Sequence, residues 1–230
     1  MSVRVRLLRR REIWVPTATG WALLAVLLLG GARLGLPWLY GFLAPDRLEG
    51  HGVLVVEGWI SETAFDEALR TWREGDYAKI VTTGARIERG ACPESVKTYA
   101  EYAARALEVR GVPAEAIAVV STPESARDRT YLSAVMVREW LERSGLAVDA
   151  IDVLSEGAHA RRTWRLYGKA FGDDLPVGIR AAPPEYDPAG WWRISSGAKD
   201  VITEAIGWSW AACCFHPGPR GSLDEKWAPP

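Results

Sequence analysis

The run Val53-Leu54-Val55-Val56 constrains this chain more than any other stretch, because four consecutive aliphatic residues stop abruptly at Glu57-Gly58. An unbroken apolar run suits a strand buried on both faces, and such strands belong to parallel sheets covered by helices. Ser61-Glu62-Thr63 follows, opening a segment rich in Ala, Leu and Glu that reads as a helix. The stretch therefore predicts strand, tight turn, helix. Ligands of open α/β sheets sit beyond the carboxyl ends of the strands, which places Glu57 and Gly58 at that edge.

The same alternation continues downstream. Strands are expected at 53–57, 79–83, 116–120, 151–155 and 177–182, separated by helices at 63–74, 93–110, 128–144 and 158–171. Repeated strand–helix alternation predicts an α/β domain over 53–182, with a mostly parallel sheet and helices on both faces. Gly111-Val112-Pro113 and Gly145 supply helix stops at the expected places.

Ahead of this domain, residues 1–12 carry five arginines and one glutamate, and residues 13–32 carry no charge. Twenty uncharged residues at about 1.5 Å each match a hydrocarbon core of about 30 Å. Arg33 interrupts the run, and apolar residues resume to 43, so 13–43 reads as one transmembrane anchor flanked by Trp14, Trp21, Trp38 and Tyr40. A signal peptide shares the basic start, but the apolar stretch is longer than the usual one and Leu43-Ala44-Pro45 is a poor cleavage site. The positive-inside rule keeps residues 1–12 in the cytoplasm and everything after Pro45 on the other side, the periplasmic face of a bacterial inner membrane. Residues 44–52 read as a linker. The segment 183–215 is turn-rich, then tryptophan-rich over 191–210, a helix that packs on the domain or rests near the membrane surface. Residues 216–230, rich in proline, glycine and charge, read as a disordered tail.

The net charge of −1, with +4 in the first twelve residues, leaves −5 on the remainder. No basic face for nucleic acid is expected. Cys92, Cys213 and Cys214 suit neither a disulfide framework nor a zinc site, and read as unpaired thiols. There is no P-loop, GxSxG elbow, metal-ligand triad or GxGxxG after the first strand.

Polar residues gather at the expected strand ends: Glu57-Gly58, Thr82-Thr83-Gly84, and Ser155-Glu156-Gly157-Ala158-His159. Thr83 and Gly84 can offer a hydroxyl and open amides to an anion, and Glu94 stands at the start of the next expected helix. His159 opens a helix at the ligand edge, where it can transfer a proton or simply cap the helix. Arg161 and Arg162 can grip phosphate or carboxylate, or form solvated surface pairs. Asp128 reads as the cap of the helix that carries Arg129 and Thr130.

Taken in order, Val53–Trp59, Lys79–Gly84, Pro93-Glu94-Ser95, Gly111-Val112-Pro113, Arg129-Thr130 and His159-Ala160-Arg161-Arg162 resemble the YdcF/SanA/ElyC family of bacterial envelope proteins over about residues 50–175. The resemblance implies a Rossmann-like α/β domain behind one N-terminal membrane anchor, and a role in cell-envelope biogenesis: peptidoglycan assembly or lipid-carrier metabolism. It implies a phosphate-bearing or lipid-linked ligand, envelope proteins as partners, and admits S-adenosylmethionine as a cofactor. The family's glycine turn falls on Gly58, its Ser-Gly-Gly on Thr83-Gly84-Ala85, its glutamate on Glu94, its threonine on Thr130 and its His-x-x-Arg on His159 and Arg162. Arg129 replaces the family's asparagine, and Leu132-Ser133 its Glu-Asn pair. The site read from these residues has His159, Glu57 and Glu94 as catalytic groups. Gly58, Thr83, Gly84, Arg129, Thr130, Arg161 and Arg162 would bind the ligand. A non-catalytic scaffold or sensor is the rival reading.

Overall fold

β1 (His51–Glu57) is the middle strand of a five-stranded sheet, and its residues Val53–Val56 are fully buried. The computed structural model describes residues 14–87 and 96–226. Along β1 the side chains alternate. Val53 and Val55 pack toward α4 (Arg129–Ser144) and α5 (Ala160–Phe171), while Leu54 and Val56 pack toward α2 (Glu62–Glu74) and α3 (Tyr99–Val109). Two-sided burial explains the unbroken aliphatic run, since each such side chain contributes about 1.5–3 kcal/mol only when helices cover the sheet face from which it projects.

The strand order is β3-β2-β1-β4-β5, with β2 Asp76–Gly84, β3 Ile117–Ser121, β4 Ile151–Glu156 and β5 Val177–Ala182, and every neighbouring pair is parallel. β1 and β4 are neighbours although β2, β3 and their helices intervene in the chain. That reversal of direction opens a crevice between their carboxyl ends, where such sheets hold ligands.

Three local features depart from the sequence reading. Among the described residues, α3 begins at Tyr99, not near residue 93. Thr98 caps it by accepting from the Glu101 amide at 3.1 Å, while Glu101 accepts from the Thr98 amide at 3.1 Å. This reciprocal pair settles two amides that a helix start otherwise leaves bare. Glu94 and Cys92 lie outside the described residues. The expected disordered tail is packed over residues 216–226: Glu225 is buried and takes two 2.9 Å hydrogen bonds from Arg138 plus one of 3.2 Å from the Tyr131 hydroxyl. Cys213 and Cys214, expected as free thiols, are joined to each other in a disulfide.

The linker is pinned as well. Arg47 exchanges two 2.8 Å backbone hydrogen bonds with Ile179 of β5, and the buried Asp152 carboxylate accepts from the amides of Glu49 and Gly50 and from the Tyr77 hydroxyl. The tryptophan-rich segment resolves into a 3-10 turn, Pro188–Arg193, with Trp191 buried, followed by α6 (Ser195–Cys213).

The chain divides into two compact units between Leu36 and Pro37. α1 (Ala18–Leu43) is long and apolar enough to cross a membrane, and its length comes from 26 residues without an acidic side chain.

Removing one member of a buried ion pair strands the other's charge and typically costs about 3–5 kcal/mol. Glu225→Ala is therefore expected to lose stability of that order in a urea titration. A freely disordered tail would leave the midpoint unchanged.

Candidate functional site

Glu57 ends β1 with its side chain buried, and its carboxylate oxygens each lie 3.4 Å from the Thr163 hydroxyl of α5. That single weak donor is poor company for a buried carboxylate, which is normally paired or strongly hydrogen-bonded. The other neighbour is His159, whose Nε2 is 3.8 Å from Glu57 Oε1. His159 sits in the 3-10 turn Gly157–His159 that links β4 to α5, and it is buried.

The opposite ring nitrogen meets α6. His159 Nδ1 lies 2.9 Å from Glu204 Oε1, and Arg162 donates to the same carboxylate through Nε at 2.7 Å and Nη2 at 2.9 Å. Arg162 Nη2 is also 2.9 Å from His159 Nδ1. Nδ1 cannot both donate to Glu204 and accept from Arg162. The carboxylate is the stronger partner and Nη2 is already satisfied by Glu204, so we assign Nδ1–H as donor to Glu204. Nε2 then faces the cleft, 3.5 Å from the Thr130 hydroxyl. Trp59 packs its ring edge against the imidazole at 4.8 Å. Burial alone would raise the Glu204 carboxyl, but the hydrogen bonds and charges of His159 and Arg162 outweigh it and hold the group down at about 2.

These groups line a cleft of about 590 Å³ at the carboxyl edge of the sheet. Glu57, Thr83, Gly84, Arg129, Thr130, His159 and Arg162 all reach it, so seven of the residues singled out by sequence come together. Thr83 joins a buried row of hydroxyls, 3.4 Å from Thr122, which is in turn 2.9 Å from Ser133. The N-terminus of α4 opens here without a side-chain cap. Asp128 occupies the capping position but in a left-handed conformation, φ 39°, and its carboxyl caps nothing. Burial raises the Asp128 carboxyl, against the lowering influence of Arg127 and Arg162.

Two residues do not join the cleft. Arg161 turns away, donating its Nε to the carbonyl of Phe42 and stacking its guanidinium 4.0 Å over that ring. Adjacent helical residues are about 100° apart, so Arg161 and Arg162 cannot both face one site. Gly58 is needed for packing: its amide donates to Thr83 O at 2.7 Å, and a Cβ there would stand 2.1 Å from the Tyr99 carbonyl oxygen. Sequence reasoning missed Glu204. Its signal was present, since Val201, Glu204 and Ala211 share the buried face of α6, where a carboxylate requires a partner. Asp200 also lines the cleft. Burial raises its carboxyl, while a 2.5 Å hydrogen bond from Tyr186 lowers it and Glu204 raises it further.

Comparison with known proteins returns no family model that matches this chain and no curated protein with significant similarity.

A carboxyl held lower in the fold than in the unfolded chain contributes stability that is complete above its unfolded value and disappears as pH falls through its folded value. For Glu204 that window runs from 4.5 down to about 2. Glu204→Gln should be less stable than the native protein at neutral pH, and the gap should close on acidification through this window. Urea midpoints measured along a pH series check both parts.

Proposed function

We propose that this chain is a membrane-anchored protein of bacterial cell-envelope biogenesis, acting in peptidoglycan or lipid-carrier metabolism, whose α/β domain transfers protons on a phosphate-bearing envelope intermediate. The observation that carries the chemistry is the placement of His159, with Nδ1 held by the Glu204 carboxylate and Nε2 turned to the cleft beside Thr130 and Glu57. A ring fixed through one nitrogen presents the other in a constant orientation, as proton transfer requires.

In this reading His159 Nε2 takes the proton of an attacking water or hydroxyl and returns it to the leaving oxygen. Glu57 stabilises the imidazolium formed between those steps. Arg129 and the uncapped start of α4 meet the phosphate, where amides and helix dipole favour negative charge. Arg162 spends Nε and Nη2 on Glu204 and keeps Nη1 for a ligand oxygen. The reaction class is hydrolysis or group transfer. The envelope setting is supported by α1, which is long and apolar enough to span a membrane. The five arginines before it support an extracytoplasmic α/β domain through the positive-inside rule.

The test is turnover of polyprenyl phosphates and nucleotide-sugars by the purified full-length protein. His159→Ala should lower the rate by about 10²–10⁴-fold, the usual contribution of a general acid–base group. Arg129→Ala should weaken binding with the fold intact. Binding of one such ligand without turnover would instead select the non-catalytic sensor. No binding by the native protein, or native rates in His159→Ala, would contradict the proposal.

A further inference from the structure

On the side of α5 away from the cleft, Arg161, Arg165 and Lys169 recur every fourth residue and so form one stripe along the helix. With Trp164 and Gly168 they line a surface hollow of about 460 Å³. Arg47, from the pinned linker, places its guanidinium 5.7 Å over the Trp164 ring, and that of Arg161 lies 6.0 Å from the same ring. Two guanidiniums thus flank Trp164, and Arg165 and Lys169 share the hollow that its ring lines.

None of the four forms an ion pair among the described residues. Their polar contacts go to backbone: Arg161 to the Phe42 carbonyl, Lys169 to the Phe215 carbonyl at 2.5 Å. Elsewhere arginines of this domain find carboxylates, as Arg110 does with Glu62 and Asp66, and Arg220 with Asp174 and Glu142. This cluster has no carboxylate paired with it among the described residues, and on a body with net charge −5 it offers a local site to an external anion. Burial lowers the pKa of both Arg161 and Lys169, and the neighbouring charges of Arg47 and Arg165 lower them further. An arriving anion would relieve that repulsion.

The position of the cluster indicates where the anion comes from. Phe42, on which Arg161 stacks, is the penultimate residue of α1. A hydrocarbon core takes about 20 helical residues, so about six of the 26 in α1 remain outside it. At about 1.5 Å per residue, Phe42 then lies within roughly 9 Å of the boundary. Headgroups occupy that depth.

We propose that the face formed by Arg47, Arg161, Trp164, Arg165 and Lys169 binds anionic phospholipid headgroups of the bilayer that α1 crosses. The inference rests on the membrane-spanning reading of α1 given above, and is independent of the chemistry in the cleft. Guanidinium forks match phosphodiester oxygens, the long side chains reach across the interface, and Trp164 offers a ring suited to that boundary.

The test uses the full-length protein in neutral detergent, titrated with phosphatidylglycerol or phosphatidylcholine and read by native mass spectrometry. Phosphatidylglycerol should bind more tightly. Arg47→Gln with Arg165→Gln, both exposed and free of side-chain hydrogen bonds, should lower its affinity about 25-fold, at about fivefold per basic residue, and leave phosphatidylcholine unchanged. Equal affinities for the two lipids, or native affinity in the double variant, overturns the proposal. Displacement of phosphatidylglycerol by an equal concentration of inorganic phosphate marks a free-anion site and also overturns it. Carbonate washing of reconstituted vesicles reads α1 separately: release of the protein contradicts the spanning reading. Retention without a phosphatidylglycerol preference contradicts the headgroup site alone.

Discussion

A carboxylate withdrawn from water must be matched by donors, and Glu204 is matched by His159 and Arg162 together. Much of the site's geometry depends on that one match. His159 and Arg162 lie one helical turn apart at the start of α5, and Glu204 arrives from α6, more than forty residues later in the chain. The contact locks the imidazole, commits most of the Arg162 guanidinium, and fastens the C-terminal helix over the switch point between β1 and β4. α6 is therefore part of the site.

The same contact limits what the cleft can bind. Glu57, Asp128, Asp200 and Glu204 all face it, and Arg162 is largely taken up by Glu204. The positive charge left to the cleft is that of Arg86, Arg129, the remaining Arg162 nitrogen and the open start of α4. The second concentration of positive charge, around Trp164, lies on the other side of α5 and is not available to the cleft. Arg161 and Arg162, adjacent in the chain, thus serve two different surfaces.

The strands were legible because aliphatic runs of the right length leave few alternatives, and β5 falls on the expected 177–182. Helix starts were less so. The proline at 93 suggested a start that Thr98 and Glu101 in fact supply, a capping box visible in the sequence but passed over. Most of the cleft could be read from the strand ends, since chain order places Glu57, Thr83 and His159 at one edge once the sheet is parallel. Long-range partners could not be read in the same way. Glu225 looks like a solvated charge in a polar tail until Arg138, 87 residues away, is seen opposite it. Glu204 needed the additional step of asking what a carboxylate does on the buried face of α6.

The assignment of the His159 proton is the central claim, and long-range ¹H–¹⁵N correlation spectra of the protein with labelled histidines test it directly. Only His51, His159 and His216 contribute, so substitution identifies each signal. The structure predicts that the neutral His159 ring carries its proton on Nδ1, toward Glu204, and leaves Nε2 bare toward the cleft. A neutral ring protonated at Nε2, with Nδ1 bare toward Arg162, would contradict it.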